Sequence, residues 1–246
     1  MCVSPKRLGD KMIWAMRHSR FKYFHNPDHA QQFLDGAMFC WNAAYYRDYE
    51  DAKAAQVVGD EYEGTRLYRP LNGLEITNLT QQTQGNIQLG AEFITKAHEI
   101  FVYCVSMSFN DALQNEFDAK ACVEICDPLK FIQRWQRALP SEALVTSGAV
   151  GDYQKYVCRM VSYYHGHDLP GNAWAIPDLI TTTKLKKFAD QEEYRFAYTK
   201  THAFKFENVE VKLVERKARP APKPDEHFHE TLDLGDLHDI CRIRIF

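Results

Sequence analysis

No run of about 18 apolar residues occurs in the sequence, so no segment reads as a membrane-spanning helix. Met1 to Arg20 also lacks the apolar stretch of about 7–15 residues that a secretory leader carries, so the expected location is the cytosol. Excess charge of one sign is missing too. The 30 Lys and Arg stand against 33 Asp and Glu, a net charge of -3. That balance excludes a global positive field that gathers nucleic acid and an acidic disordered tail, and leaves room for a local basic groove. Cysteine is odd in number, with 7 at positions 2, 40, 104, 122, 126, 158 and 241, so a complete set of disulfide pairs is missing. Several lie in apolar runs such as FVYCVSMSF, where a free thiol behaves as a small hydrophobe, so reduced and mostly buried thiols are expected. Cys122 and Cys126 have no second Cys or His pair at finger-like spacing, and His227, His229 and His238 follow a Pro-rich stretch and read as solvated loop histidines. No metal site is expected from either group, and no internal repeat is visible.

What is present is enough for one large core: 246 residues, 45% of them hydrophobic, read as an N-terminal helical extension (1–20) and a single domain (21–246). Phe21 to Phe24 suits a short strand. The following HNPDHAQQFLDG suits a helix, with Asn26 as cap, Pro27 in the first turn, Ala30, Phe33 and Leu34 on one face, and Gly36 as a left-handed exit. Ala37 to Trp41 reads as a second strand and AAYYRDYEDAKAAQVV as a helix, followed by the acidic turn GDEYEG between Gly59 and Gly64. Leu67 to Gly90, rich in Asn, Thr, Gln and Gly, fits either short sheet segments or a mobile loop. Further strands are expected over Glu99 to Met107, Ala119 to Ile125, Tyr153 to Tyr164, Tyr194 to Tyr198, Val209 to Val214 and Ile240 to Phe246. A helix starts at Asp127-Pro128 with Leu129, Ile132, Trp135 and Leu139 on one face, and ARPAPKPDE is an extended connector. The irregular alternation implies an α+β fold with a mixed, largely antiparallel sheet and short flanking helices.

Three segments carry more polar and aromatic chemistry than a core requires. Tyr23, Phe24 and His25, with His29, place imidazoles at a strand end before a capped helix, where donor and acceptor nitrogens can hold a ribose or pyrophosphate; an exposed turn histidine gives the same pattern. In Tyr45 to Asp51, Arg47 stands beside Tyr45 and Tyr46 and suits an aromatic-walled phosphate pocket, unless Asp48, Glu50 and Asp51 engage it in surface pairs. In Thr182 to Phe196, strand alternation puts Gln191, Glu193 and Arg195 on one face and Glu192, Tyr194 and Phe196 on the other; solvated charges on a half-buried strand alternate in the same way.

These segments occur in a familiar order: the HAxxFLxG helix ending at Gly36, the Tyr-rich acidic segment from Met38 to Gly64, the strand Tyr103-Cys104-Val105-Ser106, Asp127-Pro128, and Lys184 followed by Glu192-Glu193-Tyr194-Arg195. Over most of residues 20–246 that order resembles a prokaryotic domain-of-unknown-function family with a Cys-Phe-Ser strand, a Gly-Val strand and a Lys…Trp…Glu-x-Glu-Trp/Tyr-Arg strand. Its beginning is also similar to DNA-directed ADP-ribosyltransferase toxins, in which a histidine-bearing strand and a short helix hold nicotinamide adenine dinucleotide (NAD). Val105 stands where the family strand carries Phe, Phe188 where it carries Trp, and the Ser-Thr-Ser strand of arginine-type transferases is absent. The resemblance implies an ADP-ribosyltransferase-like fold and NAD as substrate. It implies Glu193 as catalytic carboxylate, Arg47 on phosphate or assisting transfer, and Tyr23, His25, His29, Tyr46, Ser106 and Gln191 around the dinucleotide. The implied acceptor is a nucleic acid or protein, as for a bacterial or phage-linked toxin or defence effector. The alternatives are a NAD glycohydrolase and a non-catalytic nucleotide-sensing or interaction module in which Glu193 would be solvated. A metal-dependent nuclease has no ligand spacing to support it.

Overall fold

The computed structural model describes residues 18–47, 59–144, 154–215 and 226–246. The expected N-terminal extension, most of the second helix and the Pro-rich connector lie outside these. From the start of the described chain come β1 (Arg20–Phe24), α1 (Pro27–Leu34), β2 (Ala37–Asn42) and α2 (Ala43–Arg47). The Leu67 to Gly90 region resolves as sheet segments: β3 (Thr65–Tyr68), β4 (Leu74–Asn78), β5 (Thr83–Ile87) and β6 (Leu89–Ile94). Then follow β7 (Phe101–Ser106), α3 (Asp111–Glu116), β8 (Ala121–Ile125), α4 (Pro128–Ala138) and α5 (Ser141–Leu144). The strand expected over Tyr153 to Tyr164 divides into β9 (Tyr156–Met160) and β10 (Ser162–Tyr164). The chain closes with α6 (Pro177–Thr181), β11 (Thr183–Leu185), β12 (Glu193–Tyr198), β13 (Glu210–Glu215), β14 (His229–Asp233) and β15 (Cys241–Ile245).

The fold is α+β, with largely antiparallel sheets. β7 is the hub of an eight-stranded sheet. Along one edge β12 pairs with its whole length, from Glu193 opposite Ser106 to Tyr198 opposite Phe101, and β9 lies outside β12. Along the other edge two strands share it. β2 pairs at the start of β7, with Trp41 opposite Val102, and carries β14 outside it. β1 pairs at the end, with Phe21 opposite Ser106, and carries β8 and β15. The sheet therefore forks, and among the described residues no strand runs along the middle of β7 on that edge. β3, β6 and β13 form a separate three-stranded sheet, β4 and β5 a hairpin, and β10 and β11 a parallel pair.

Strand alternation gives the forked sheet two unlike faces. Phe101, Tyr103 and Val105 of β7 and Tyr194, Phe196 and Tyr198 of β12 meet Phe33, Leu34, Phe131 and Trp135 in the main core. α1 and α4 cover this face because each starts with a side-chain cap followed by Pro: Asn26 Oδ1 accepts from Asp28 N at 2.9 Å and Asp127 Oδ1 from Lys130 N at 3.0 Å. Gly36 leaves α1 at φ +107°, and a Cβ there would stand 2.6 Å from the Gly235 carbonyl oxygen, so only glycine fits. The buried stripe of α4 is Phe131, Ile132 and Trp135, while Leu129, expected on that face, is 49% exposed. Its position lies a helical step away from the stripe. The opposite face is packed by small residues, including Ala43, Val102 and Ala197, and carries the charges described next. His229, expected in a connector, instead begins β14 and packs its ring 4.8 Å from Trp41.

Candidate active site at the fork of the sheet

Met107 N donates to Glu192 O at 2.9 Å, so the alternation of an antiparallel ladder turns the backbone groups of Cys104 away from β12, toward the open edge. There the Lys22 ammonium donates to the Cys104 carbonyl at 2.9 Å, in place of a strand. Between the fork and β12 lies a cleft of about 210 Å³, walled by Phe21, Tyr23, Tyr46 and Phe117 and floored by Cys104, Lys184, Glu193 and Arg195.

The floor is a buried ion network. Glu193 Oε2 receives Lys184 Nζ at 2.7 Å and Glu193 Oε1 receives Arg195 Nε at 2.8 Å. Arg195 also forks onto Glu63, at 2.5 and 3.1 Å, and donates to the Thr181 carbonyl. All four side chains are at most 6% exposed. Burial alone raises the pKa of Glu193, but Arg195 and Lys184 outweigh it and hold the carboxyl well below the usual range. Lys184 shows the counterpart: burial lowers its pKa, yet Glu193 overrides that and the ammonium is held more firmly than usual. At Glu63 burial wins over Arg195 and the pKa rises. The Cys104 thiol is pushed up to about 12 by burial and by the neighbouring Glu193 charge. The backbone N–H of Glu193 donates to Tyr163 Oη at 2.8 Å, which anchors the strand end.

Among the residues singled out from sequence, Tyr23, His25, Tyr46, Ser106, Gln191 and Glu193 line this one cleft. Their roles differ. Ser106 Oγ donates to the Gln191 carbonyl at 2.8 Å and accepts from Ser108 N at 3.0 Å, so it braces the cleft wall. The Tyr23 hydroxyl is likewise engaged, donating to Ser108 O and accepting from Asn110 N, both at 3.1 Å, and its ring packs on Phe117. His25 stands on the rim, its side chain 72% exposed, with Nδ1 3.0 Å from the Asp118 carbonyl. Gln191 enters from a 3-10 turn over Lys186–Gln191, not from the strand, and its amide lies 3.1 Å from Glu116 and 3.4 Å from Lys184. Glu192 turns left-handed at φ 42° and leaves the β alternation, so the face pattern begins at Glu193.

Two expected site residues do not reach the cleft. Arg47 lines a separate cavity with Lys96, His98 and Glu210. Successive helical residues point about 100° apart, so Tyr46 facing the cleft turns Arg47 away. His29, exposed on α1, lines another cavity on the opposite face of the sheet. Among the charged residues of the cleft, Glu63 and Lys22 were not singled out, and Lys184, quoted only as part of the resembling motif, had been given no role. Nothing local in the sequence points to Glu63, since the Arg195 it meets lies 132 residues away along the chain. For Lys22 the clue was a charge inside an aromatic strand. No protein-family profile, curated protein or solved structure matches this chain.

Proposed function

We propose that the chain is an ADP-ribosyltransferase-like enzyme that breaks the nicotinamide–ribose bond of NAD, with Glu193 facing the ribose. The forked antiparallel sheet is, on this reading, an ADP-ribosyltransferase-like framework. The observation that carries it is Glu193: an ionised carboxylate locked between Lys184 and Arg195 on the floor of an open, aromatic-walled cleft. When the C–N bond breaks, its electron pair leaves with nicotinamide and positive charge develops on the ribose. A preorganised anion in a buried site stabilises that charge. Arg195 and Lys184 hold Glu193 ionised, so its part is assigned as electrostatic. The attacking hydroxyl forms the new C–O bond and releases its proton to water. Tyr23, Tyr46 and Phe117 give the cleft an aromatic lining against which the nicotinamide ring would pack. The sensor reading that required a solvated Glu193 does not have that feature, since its side chain is 6% exposed.

The test uses NAD labelled in its adenylate half, with Glu193→Asp as the variant, because Asp keeps a negative charge between Lys184 and Arg195. Wild type is expected to release nicotinamide, and the displaced carboxylate to slow release by about 10²–10³-fold. Label in nucleic acid or protein assigns a transferase; label only in free ADP-ribose assigns a glycohydrolase. Expression in bacteria should arrest growth with wild type and not with Glu193→Asp if the enzyme is a toxin or defence effector. Intact NAD under every condition would contradict the proposal.

A further inference from the structure

The charges that line the cleft do not balance. Lys22, Lys184 and Arg195 stand there with only two carboxylates, Glu63 and Glu193. Arg195 is taken up by Glu63 and Glu193, and Lys184 by Glu193. Lys22 is left over. Its ammonium donates to the Cys104 carbonyl at 2.9 Å, stands 4.5 Å from the centre of the Tyr103 ring, and makes no ion pair among the described residues. An ammonium has three donors, and the carbonyl takes one of them. Because the main chain holds Lys22 at the fork, its place is fixed without its charge being cancelled. Burial lowers its pKa, as expected of a charge drawn out of water with no carboxylate in contact. Tyr46 lines the same cleft, and like Lys22 it reaches the gap between the two faces of the sheet. It is partly exposed, its ring meets Tyr45 edge-on, and its hydroxyl makes no hydrogen bond among the described residues.

We infer that Lys22 and the Tyr46 hydroxyl form an anion subsite at the gap of the sheet and hold the diphosphate bridge of the substrate while its nicotinamide end lies at Glu193. That the anion is a diphosphate rests on the NAD reading; that the subsite takes an anion rests on the unmatched ammonium. Phosphate oxygens accept the remaining N–H groups of Lys22 in charge-assisted hydrogen bonds, and the Tyr46 O–H adds a neutral donor. A cation separate from Lys184 and Arg195 also serves the chemistry. Those two flank Glu193, and a phosphate drawn to either would compete with the carboxylate on which the ribose depends. Lys22 gives the second negative group a partner of its own.

Calorimetric titration of the full chain with inorganic pyrophosphate and with ADP-ribose tests this, because both carry the diphosphate and neither has the nicotinamide–ribose bond. Wild type is expected to bind both. Lys22→Met should weaken each at least about 10-fold and Tyr46→Phe about 3- to 10-fold, as for the loss of a charged and a neutral hydrogen bond. Arg47→Ala, in a separate cavity, should leave both affinities unchanged. Near-UV circular dichroism shows whether Lys22→Met, which loses the Cys104 contact, keeps its fold. Tyr46→Phe removes one oxygen that holds nothing among the described residues, so it reports even if the lysine variant unfolds. Affinities indifferent to both substitutions, or no binding of either ligand by wild type, overturn the inference. Nicotinamide release from NAD, followed in parallel, separates the two ideas: release with ligand affinities indifferent to Lys22 and Tyr46 sinks the anion subsite alone, and binding that depends on both residues without release sinks NAD cleavage alone.

Discussion

Arg195 donates to Glu193, to Glu63 and to the Thr181 carbonyl from a side chain that is 1% exposed. Replacing it by Met would leave two carboxylates facing each other in the interior with Lys184 as the remaining cation. The expected loss is about 3–5 kcal/mol, read from urea midpoints, because removing one member of a buried ion network strands the others. A loss under about 1 kcal/mol would mean that the network is solvated. Proton linkage gives a second check. The folded pKa of Glu193 is depressed, so its contribution is complete above the unfolded value of about 4.3 and fades as pH falls from there through the folded one. The stability gap between wild type and Glu193→Gln should therefore narrow from pH 7 to pH 3; an equal gap at both would show that the charge is not held as described. Cys104 beside it, raised to about 12, should resist iodoacetamide at pH 8 until the chain unfolds. Mass spectrometry of the alkylated peptide reads this, and rapid labelling of folded protein would contradict it. At this scale Glu193 was legible because the apolar alternation of Tyr194 and Phe196 assigns its face. Arg47 misled because one helical step decides whether a side chain meets a cleft, and adjacency in sequence to Tyr46 does not.

α1 and α4 were legible because their start signals are local: Asn26-Pro27 and Asp127-Pro128 each combine a cap with a proline in the first turn. Asn26→Ala should cost about 1 kcal/mol, whereas Trp135→Ala, which empties the space between Tyr156 and Phe196, should cost about 3–5 kcal/mol. Chemical denaturation of the two variants checks the ranking, and equal losses would count against α4 as the main cover of the sheet. The strands were also legible in number and approximate position, since apolar runs and alternation are local. Their pairing was not. Residues 20–24 and 37–42 both join β7, more than 55 residues further on, and nothing in either segment states that they share one edge of it. The fork, and with it the cleft, arises from that long-range register. The segment from Leu67 to Gly90 stayed ambiguous because its polar strands β4 and β5 pair with each other and bury little.

As a whole, the molecule separates two tasks between the faces of one sheet. The α4 face is oily and carries the main core, while the other face holds charge that only the surrounding burial makes effective. The gap at the fork joins the faces through Lys22 and Tyr46. Among the described residues no helix is long and apolar enough to cross a membrane, and no cluster of metal-binding side chains forms. The fork thus places one ionised carboxylate, Glu193, at the bottom of a ring-walled cleft, and the chemistry proposed for the chain depends on that carboxylate. Nicotinamide release from NAD by wild type and Glu193→Asp, compared at equal folded concentration, is the most direct measurement. The expected result is release by wild type that falls about 10²–10³-fold in the variant; no release by wild type, or equal release by both, would contradict a catalytic role for Glu193.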